Sequence, residues 1–254
     1  MGPPPVVLHQ FPYSHYNEKA RWGLDWKGVP HVRRSHLPGP HALWIKRLSG
    51  QTATPVLVID GDVIAGSARI LDALEQRFPE RPLYPADPAL RRRALAIQER
   101  FDREVGPAAR TVLFSVLIEE PGYLCAIFAG RKLLPVRLLY RATLPLAKGM
   151  ISKANNANDP AGIARAHEVT RQALDFVAKE VDKSGQLVGG AFSIADLACA
   201  SLLAVLANPP HPDMDRPRPI PERVKALLAR FAPHPALQWV LEQYRRHRPT
   251  RVAP

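Results

Sequence analysis

The stretch GGAFSIADLACASLL, residues 189–203, decides how the second half of this chain is organised. Ser193 and Asp196 have the S-x-x-D spacing of a capping box, in which each side chain satisfies the other's backbone N–H at the start of a helix. Phe192 and Leu197 stand where a hydrophobic staple would stand. The residues that follow are small or apolar on every side, so the pattern predicts a fully buried helix over 194–206 with a defensive role for Asp196: it holds a helix end, not a ligand.

Working outward, the segments after residue 88 all read as helices. Residues 90–118 form one long candidate that Gly106-Pro107 is expected to kink; 161–181, 221–231 and 235–246 show helical stripes. Residues 208–221, NPPHPDMDRPRPIP, are a proline-rich loop without periodicity. The first eighty residues differ. Strand-like PVVLHQF, a helix over 15–27 with Tyr16, Ala20 and Leu24 four apart, strand-like HVRRSHL, a short helix over 41–48, PVLVI, the Asp60-Gly61 turn, VIA and a helix over 67–78 give the order βαβ, then αββα. PERPLYPADP, residues 79–88, holds four prolines in ten positions and continues neither element type. The expected organisation is an α/β domain over 1–80, a linker over 81–88 and an all-helical domain over 89–254.

Composition excludes disorder: 254 residues with 46% hydrophobic and 23% charged are ordinary for a packed protein. The net charge of +12 is unevenly spread. Residues 121–158 contain no Asp or Glu, while Arg131, Lys132, Arg137, Arg141, Lys148 and Lys153 provide six positive charges among leucines. Two readings of this stretch stand: a wall for an apolar substrate pocket with the basic residues toward solvent, which is favoured, or contact of residues 121–153 with an anionic membrane surface. Arg91–Arg93 and Arg245, Arg246 and Arg248 read as solvated helix ends, and Arg21 as helix packing or surface charge. Cys125 and Cys199 lack metal or redox spacing and read as buried thiols. No metal site is expected from the nine histidines, and no phosphate loop follows the first strand. Aromatics are not interleaved with basic residues, so nucleic acid is not an expected partner. The start lacks the features of a secretory signal, which points to the cytoplasm.

FPYSHYNEKARW, residues 11–22, places Ser14 where an apolar run meets a helix. Its hydroxyl either caps that helix or presents a hydrogen bond to a reactive group. A hydroxyl keeps its proton near neutral pH and so cannot serve as the base, but it donates to a thiolate that the positive end of a helix already favours. Tyr13 is the second candidate for that role.

These stretches together resemble the soluble glutathione S-transferase superfamily: a thioredoxin-like amino-terminal domain followed by an all-helical domain. The resemblance implies a serine-type site in which Ser14 faces the sulfur of glutathione as co-substrate. It implies a cis-proline at Thr54-Pro55, with Thr54 and Val56 pairing with the peptide backbone of glutathione. It also implies that Gly66-Ser67 at the start of the next helix holds the γ-glutamyl carboxylate, although the family's acidic residue is replaced by Gly66. The implied activity is conjugation or addition of the thiolate to a hydrophobic electrophile, a detoxification reaction, by a cytoplasmic homodimer. The alternative is a non-catalytic relative that binds hydrophobic ligands, a membrane surface or a protein partner.

Overall fold

A computed structural model describes residues 6–249 and 251. Strand β1 (Val7–Gln10), helix α1 (His15–Trp26), β2 (Val32–Ser35), α2 (His41–Ser49), β3 (Val56–Ile59), β4 (Asp62–Ala65) and α3 (Ser67–Arg77) form the first unit. The sheet order is β2-β1-β3-β4. β1 runs parallel to β2 with Val7 opposite Val32, and antiparallel to β3 with His9 opposite Val56; β3 and β4 are antiparallel with Val56 opposite Ala65. This is the thioredoxin-like arrangement that the resemblance implies. The continuation is helical: α4 (Pro88–Arg100), a π-helical turn (Phe101–Val105), α5 (Gly106–Leu117), α6 (Pro121–Ala129), α7 (Leu134–Ala154), α8 (Pro160–Glu180), α9 (Ile194–Ala207), α10 (Glu222–Phe231) and α11 (Pro235–His247).

Helix α9 lies at the centre, packed by α1, α4, α5 and α11, and its side chains from Ile194 to Leu206 are all buried. The capping box is formed. Asp196 accepts from the Ser193 N–H at 2.9 Å, the Ser193 hydroxyl at 2.9 Å and the Leu187 N–H at 2.8 Å. Phe192 stacks on Trp22 and His247 and meets Trp26 at a tilt, so it joins the start of α9 to α1 and α11. Cys125 and Cys199 are both buried free thiols.

The break in the long helix falls just before the expected Gly106-Pro107 position, and the reason is local chemistry. In the wide turn the Gly106 N–H donates to the Phe101 carbonyl. The next carbonyl, that of Asp102, would need an N–H from residue 107, and proline has none. The Tyr16 hydroxyl of α1 takes that place, donating to the Asp102 carbonyl at 2.5 Å. His15 also binds across, with Nε2 2.9 Å from the Gly106 carbonyl. Gly106 itself is helical; it is required because a Cβ there would lie 2.5 Å from the Tyr16 oxygen.

Beneath β1 and α1 lies a buried lattice of three guanidiniums and three carboxylates. Arg21 Nε meets Glu18 at 2.7 Å, Arg248 reaches Glu18 at 2.7 Å, Asp25 at 2.9 Å and Asp213 at 2.7 Å, and Arg33 reaches Asp25 at 2.6 Å and Asp213 at 2.7 Å. Arg248 is therefore not a solvated helix end, since its side chain is 0% exposed, and Arg21, at 1%, is not surface charge. Arg245 and Arg246 do face solvent. Burial alone would raise the Glu18 and Asp213 pKa values; the surrounding guanidiniums outweigh it and hold both carboxyls below their ordinary range.

Two outcomes follow from these contacts. Gly106→Ala is expected to displace the Tyr16 ring and to lower stability by about 1–3 kcal/mol, outweighing the roughly 1 kcal/mol helix-propensity gain; a thermal midpoint equal to or above that of the parent would refute the packing argument. Arg248→Met leaves one carboxylate in excess and is expected to cost about 3–5 kcal/mol near neutral pH. Because depressed carboxylates stabilise the fold above their unfolded pKa and lose that effect as pH falls through their lower native pKa values, the penalty should shrink as pH falls below about 4. Urea unfolding at several pH values checks this, and a pH-independent penalty would exclude the charge account.

Candidate active site

Ser14 is the residue preceding α1, with extended backbone angles of φ −87° and ψ 127°. It has the place of a helix cap, yet its hydroxyl makes no capping hydrogen bond. The first backbone N–H groups of α1 remain directed at the same space, as at any helix start. The Ser14 carbonyl is occupied: it accepts from the Glu18 N–H at 2.7 Å and from Arg21 Nη2 at 3.4 Å. Arg21 Nη1 holds the preceding turn through the Phe11 carbonyl at 3.2 Å and the Gln10 side chain at 2.7 Å. Tyr13 adopts φ 56°, a left-handed conformation uncommon for a residue other than glycine. The backbone of residues 10–14 is thus fixed from below, while the Ser14 hydroxyl has no hydrogen-bond partner among the described residues.

The Thr54-Pro55 bond is cis, as the resemblance implies. Asn17 Nδ2, in the first turn of α1, donates to Thr54 Oγ1 at 3.2 Å and brings this turn against the Ser14 helix. Among the described residues, no other backbone group takes the N–H or C=O of Thr54. Val56 is placed differently, since it is fully buried and has sheet neighbours on both sides, His9 and Ala65. The Gly66 N–H closes the turn by donating to the Pro55 carbonyl at 2.9 Å.

Gly66 caps α3 with φ 94° and ψ 137°, a conformation that only glycine adopts without strain. This accounts for the missing acidic residue: the backbone at position 66 disfavours any side chain, although a Cβ would meet no atom within 4 Å. Ser67 opens α3, is buried, and its hydroxyl has no hydrogen-bond partner among the described residues. The structure thus brings together Ser14, Tyr13, Thr54, Pro55, Gly66 and Ser67 around the ends of α1, β3 and α3.

His15, next to Ser14, is pushed down to about 3 by burial and by the nearby Arg110 and Arg216. It is neutral and acts as a structural link to Gly106. Arg216 is buried, with its pKa lowered to about 10 by that burial, and it donates to the Val205 carbonyl and to Asn208. Both arginines come from the helical region and were not evident in the sequence, because Arg216 lies in an aperiodic proline-rich loop and Arg110 in an ordinary helical stretch.

The 121–158 stretch is split. α6 reaches the Ser14 loop: Phe128 meets Phe11 edge-on with ring centroids 6.1 Å apart, and Lys132 Nζ donates to the Ser35 carbonyl at 2.8 Å. α7 packs against α6. A cavity of about 230 Å³ beside it is lined by Ile118 and Glu119 and by α6 and α7 residues including Leu124, Leu144 and Ile151, while the α7 leucines Leu138, Leu139 and Leu146 face outward. The physical reason is that apolar residues occur on both sides of this helix, and only one side has a core to meet.

Glu18, His211 and Asp213 lie close enough together to suggest a metal. Their charge is already matched by Arg21, Arg33 and Arg248, which would repel a cation.

Residues 8–82 match the family described as "Glutathione S-transferase, N-terminal domain". A 93-residue stretch is 40% identical to a probable maleylacetoacetate isomerase of Caenorhabditis elegans, covering 36% of this chain and 44% of that protein, so the match spans less than half of the relative. The glutathione S-transferase of Pseudomonas fluorescens superposes with a TM-score of 0.65 at 17% identity, over 99% of this chain and 100% of that one. That of Methylobacillus flagellatus, solved with glutathione bound, superposes with a TM-score of 0.63 at 16% identity over 95% of each chain. The amino-terminal unit thus matches the glutathione S-transferase N-terminal domain family over residues 8–82, and the chain as a whole shares the fold of solved glutathione S-transferases.

Proposed function

We propose that the protein is a glutathione S-transferase that adds the glutathione thiolate to a hydrophobic electrophile. The observation that supports this most is the uncapped Ser14 hydroxyl at the amino end of α1, where the helix dipole favours negative charge. In this reading residues 1–80 bind glutathione: its backbone pairs with Thr54, and its γ-glutamyl carboxylate meets Ser67 and the first N–H groups of α3. Residues 89–254 admit the electrophile. The thiol proton leaves to water; Ser14 donates to the resulting sulfur anion. A sulfur lone pair forms the C–S bond, and either a leaving group departs with its electron pair or the new carbanion takes a proton from water. No metal takes part. The homodimer and the cytoplasm belong to the same proposal; among the described residues, no helix is long and apolar enough to cross a membrane.

The partial likeness to a maleylacetoacetate isomerase favours a second reading of the same site. There the thiolate adds to a conjugated double bond, the resulting single bond rotates, and the sulfur is expelled with its electron pair, regenerating glutathione.

Ser14→Ala is expected to lower kcat about 10- to 100-fold, the equivalent of one charge-assisted hydrogen bond, with glutathione affinity largely retained. Steady-state kinetics with a chromogenic aryl halide, alongside calorimetric titration with glutathione, measure both. Unchanged kcat would remove Ser14 from the chemistry and direct attention to Tyr13→Phe; no binding at millimolar glutathione would favour a non-catalytic binding protein.

A further inference from the structure

Helix α7 presents two apolar sides. Tyr140 and Leu144 are buried against the rest of the protein, and Ile151, seven positions beyond Leu144, is half-buried on the same side. At roughly 100° per residue, Leu138, Ala142 and Leu146 fall on the opposite side. Leu138 is 59% exposed, Leu139 69%, Leu146 89% and Met150 73%. Arg137, Arg141 and Lys148 repeat the spacing of Tyr140, Leu144 and Ile151 three residues earlier. They therefore form a row along one flank, between the buried side and the exposed apolar side.

The charge pattern identifies what this face meets. Residues 121–158 contain no acidic residue. Lys148 pairs with Glu119 at 2.8 Å, whereas among the described residues Arg131, Arg137, Arg141 and Lys153 have no ion-pair partner. A second copy of the chain is a poor occupant, because a two-fold contact would set this cationic face against itself with no carboxylate between. An anionic surface neutralises the row while its apolar layer receives the leucines, which is the arrangement of an interfacial helix lying in the membrane plane.

We infer that α7 docks the protein peripherally on an anionic lipid surface, with Leu138, Leu139, Leu146 and Met150 inserted at the headgroup boundary and Arg137 and Arg141 at the phosphates. This surface is separate from the Ser14 site and independent of the reading of its chemistry.

Flotation with phosphatidylcholine vesicles, with and without phosphatidylglycerol, tests the inference on the full chain. Binding is expected only with the anionic lipid and is expected to weaken as salt rises. Arg137→Gln with Arg141→Gln should reduce partitioning on the order of 30-fold, and Leu139→Ser with Leu146→Ser should reduce it without lowering the thermal midpoint, since both side chains are exposed. Equal binding to neutral vesicles, or none to either kind, would overturn the inference. So would sedimentation velocity showing a dimer that the leucine variant dissociates, because a second copy would then cover this face.

Discussion

The guanidinium of Arg21 fixes the geometry on which the site depends. A buried charge is tolerated only when it is paired and hydrogen-bonded, and Arg21 satisfies this by drawing on Glu18 in its own helix, on Gln10 at the end of β1, and on the Phe11 and Ser14 carbonyls. Glu18 in turn needs Arg248 near the end of the chain, and Arg248 needs Asp25 and Asp213. Satisfying one charge has joined the first strand, the first helix, the proline-rich loop and the last helix. The turn before α1 is held as a consequence, and the hydroxyl of Ser14 is left without a structural task.

The helical region does more than cover this unit. Its π-helical turn, produced next to a proline that lacks an N–H, leaves the carbonyl that receives Tyr16, and Gly106 lets the two helices approach closely enough for that bond. Burial, with Arg110 and Arg216 nearby, keeps His15 neutral. An anion forming beside Ser14 meets the positive end of α1, whereas the neighbouring imidazole of His15 is engaged by the Gly106 carbonyl. Stabilisation of an anion already formed, rather than abstraction of its proton by a side chain, is the chemistry that suits this arrangement.

Much of this was legible in the sequence where its cause is local. The capping box at Ser193 and Asp196, the stripe of α1 and the order of strands and helices depend on residues a few positions apart, and they are found as expected. The charged lattice was not legible because its partners are far apart: Arg248 meets Glu18 across 230 positions, and a run of basic residues at a helix end looks like solvated charge. Gly66 read as a missing acid, and only the backbone angles show why a glycine stands there. Helix α7 has apolar residues on two sides, and periodicity alone does not say which side has a core to meet. The free state of the Ser14 hydroxyl was equally hidden, since the same residue in the same place serves as a cap in many helices.

The central claim is that a hydroxyl at position 14 holds a bound sulfur in its anionic form. Ultraviolet titration of the thiolate band in the glutathione complex measures this directly. The account predicts a bound thiol that ionises well below the free value of about 8.5, and an apparent pKa that rises when Ser14 is replaced by alanine. An identical titration in parent and variant, with glutathione bound in both, would contradict it.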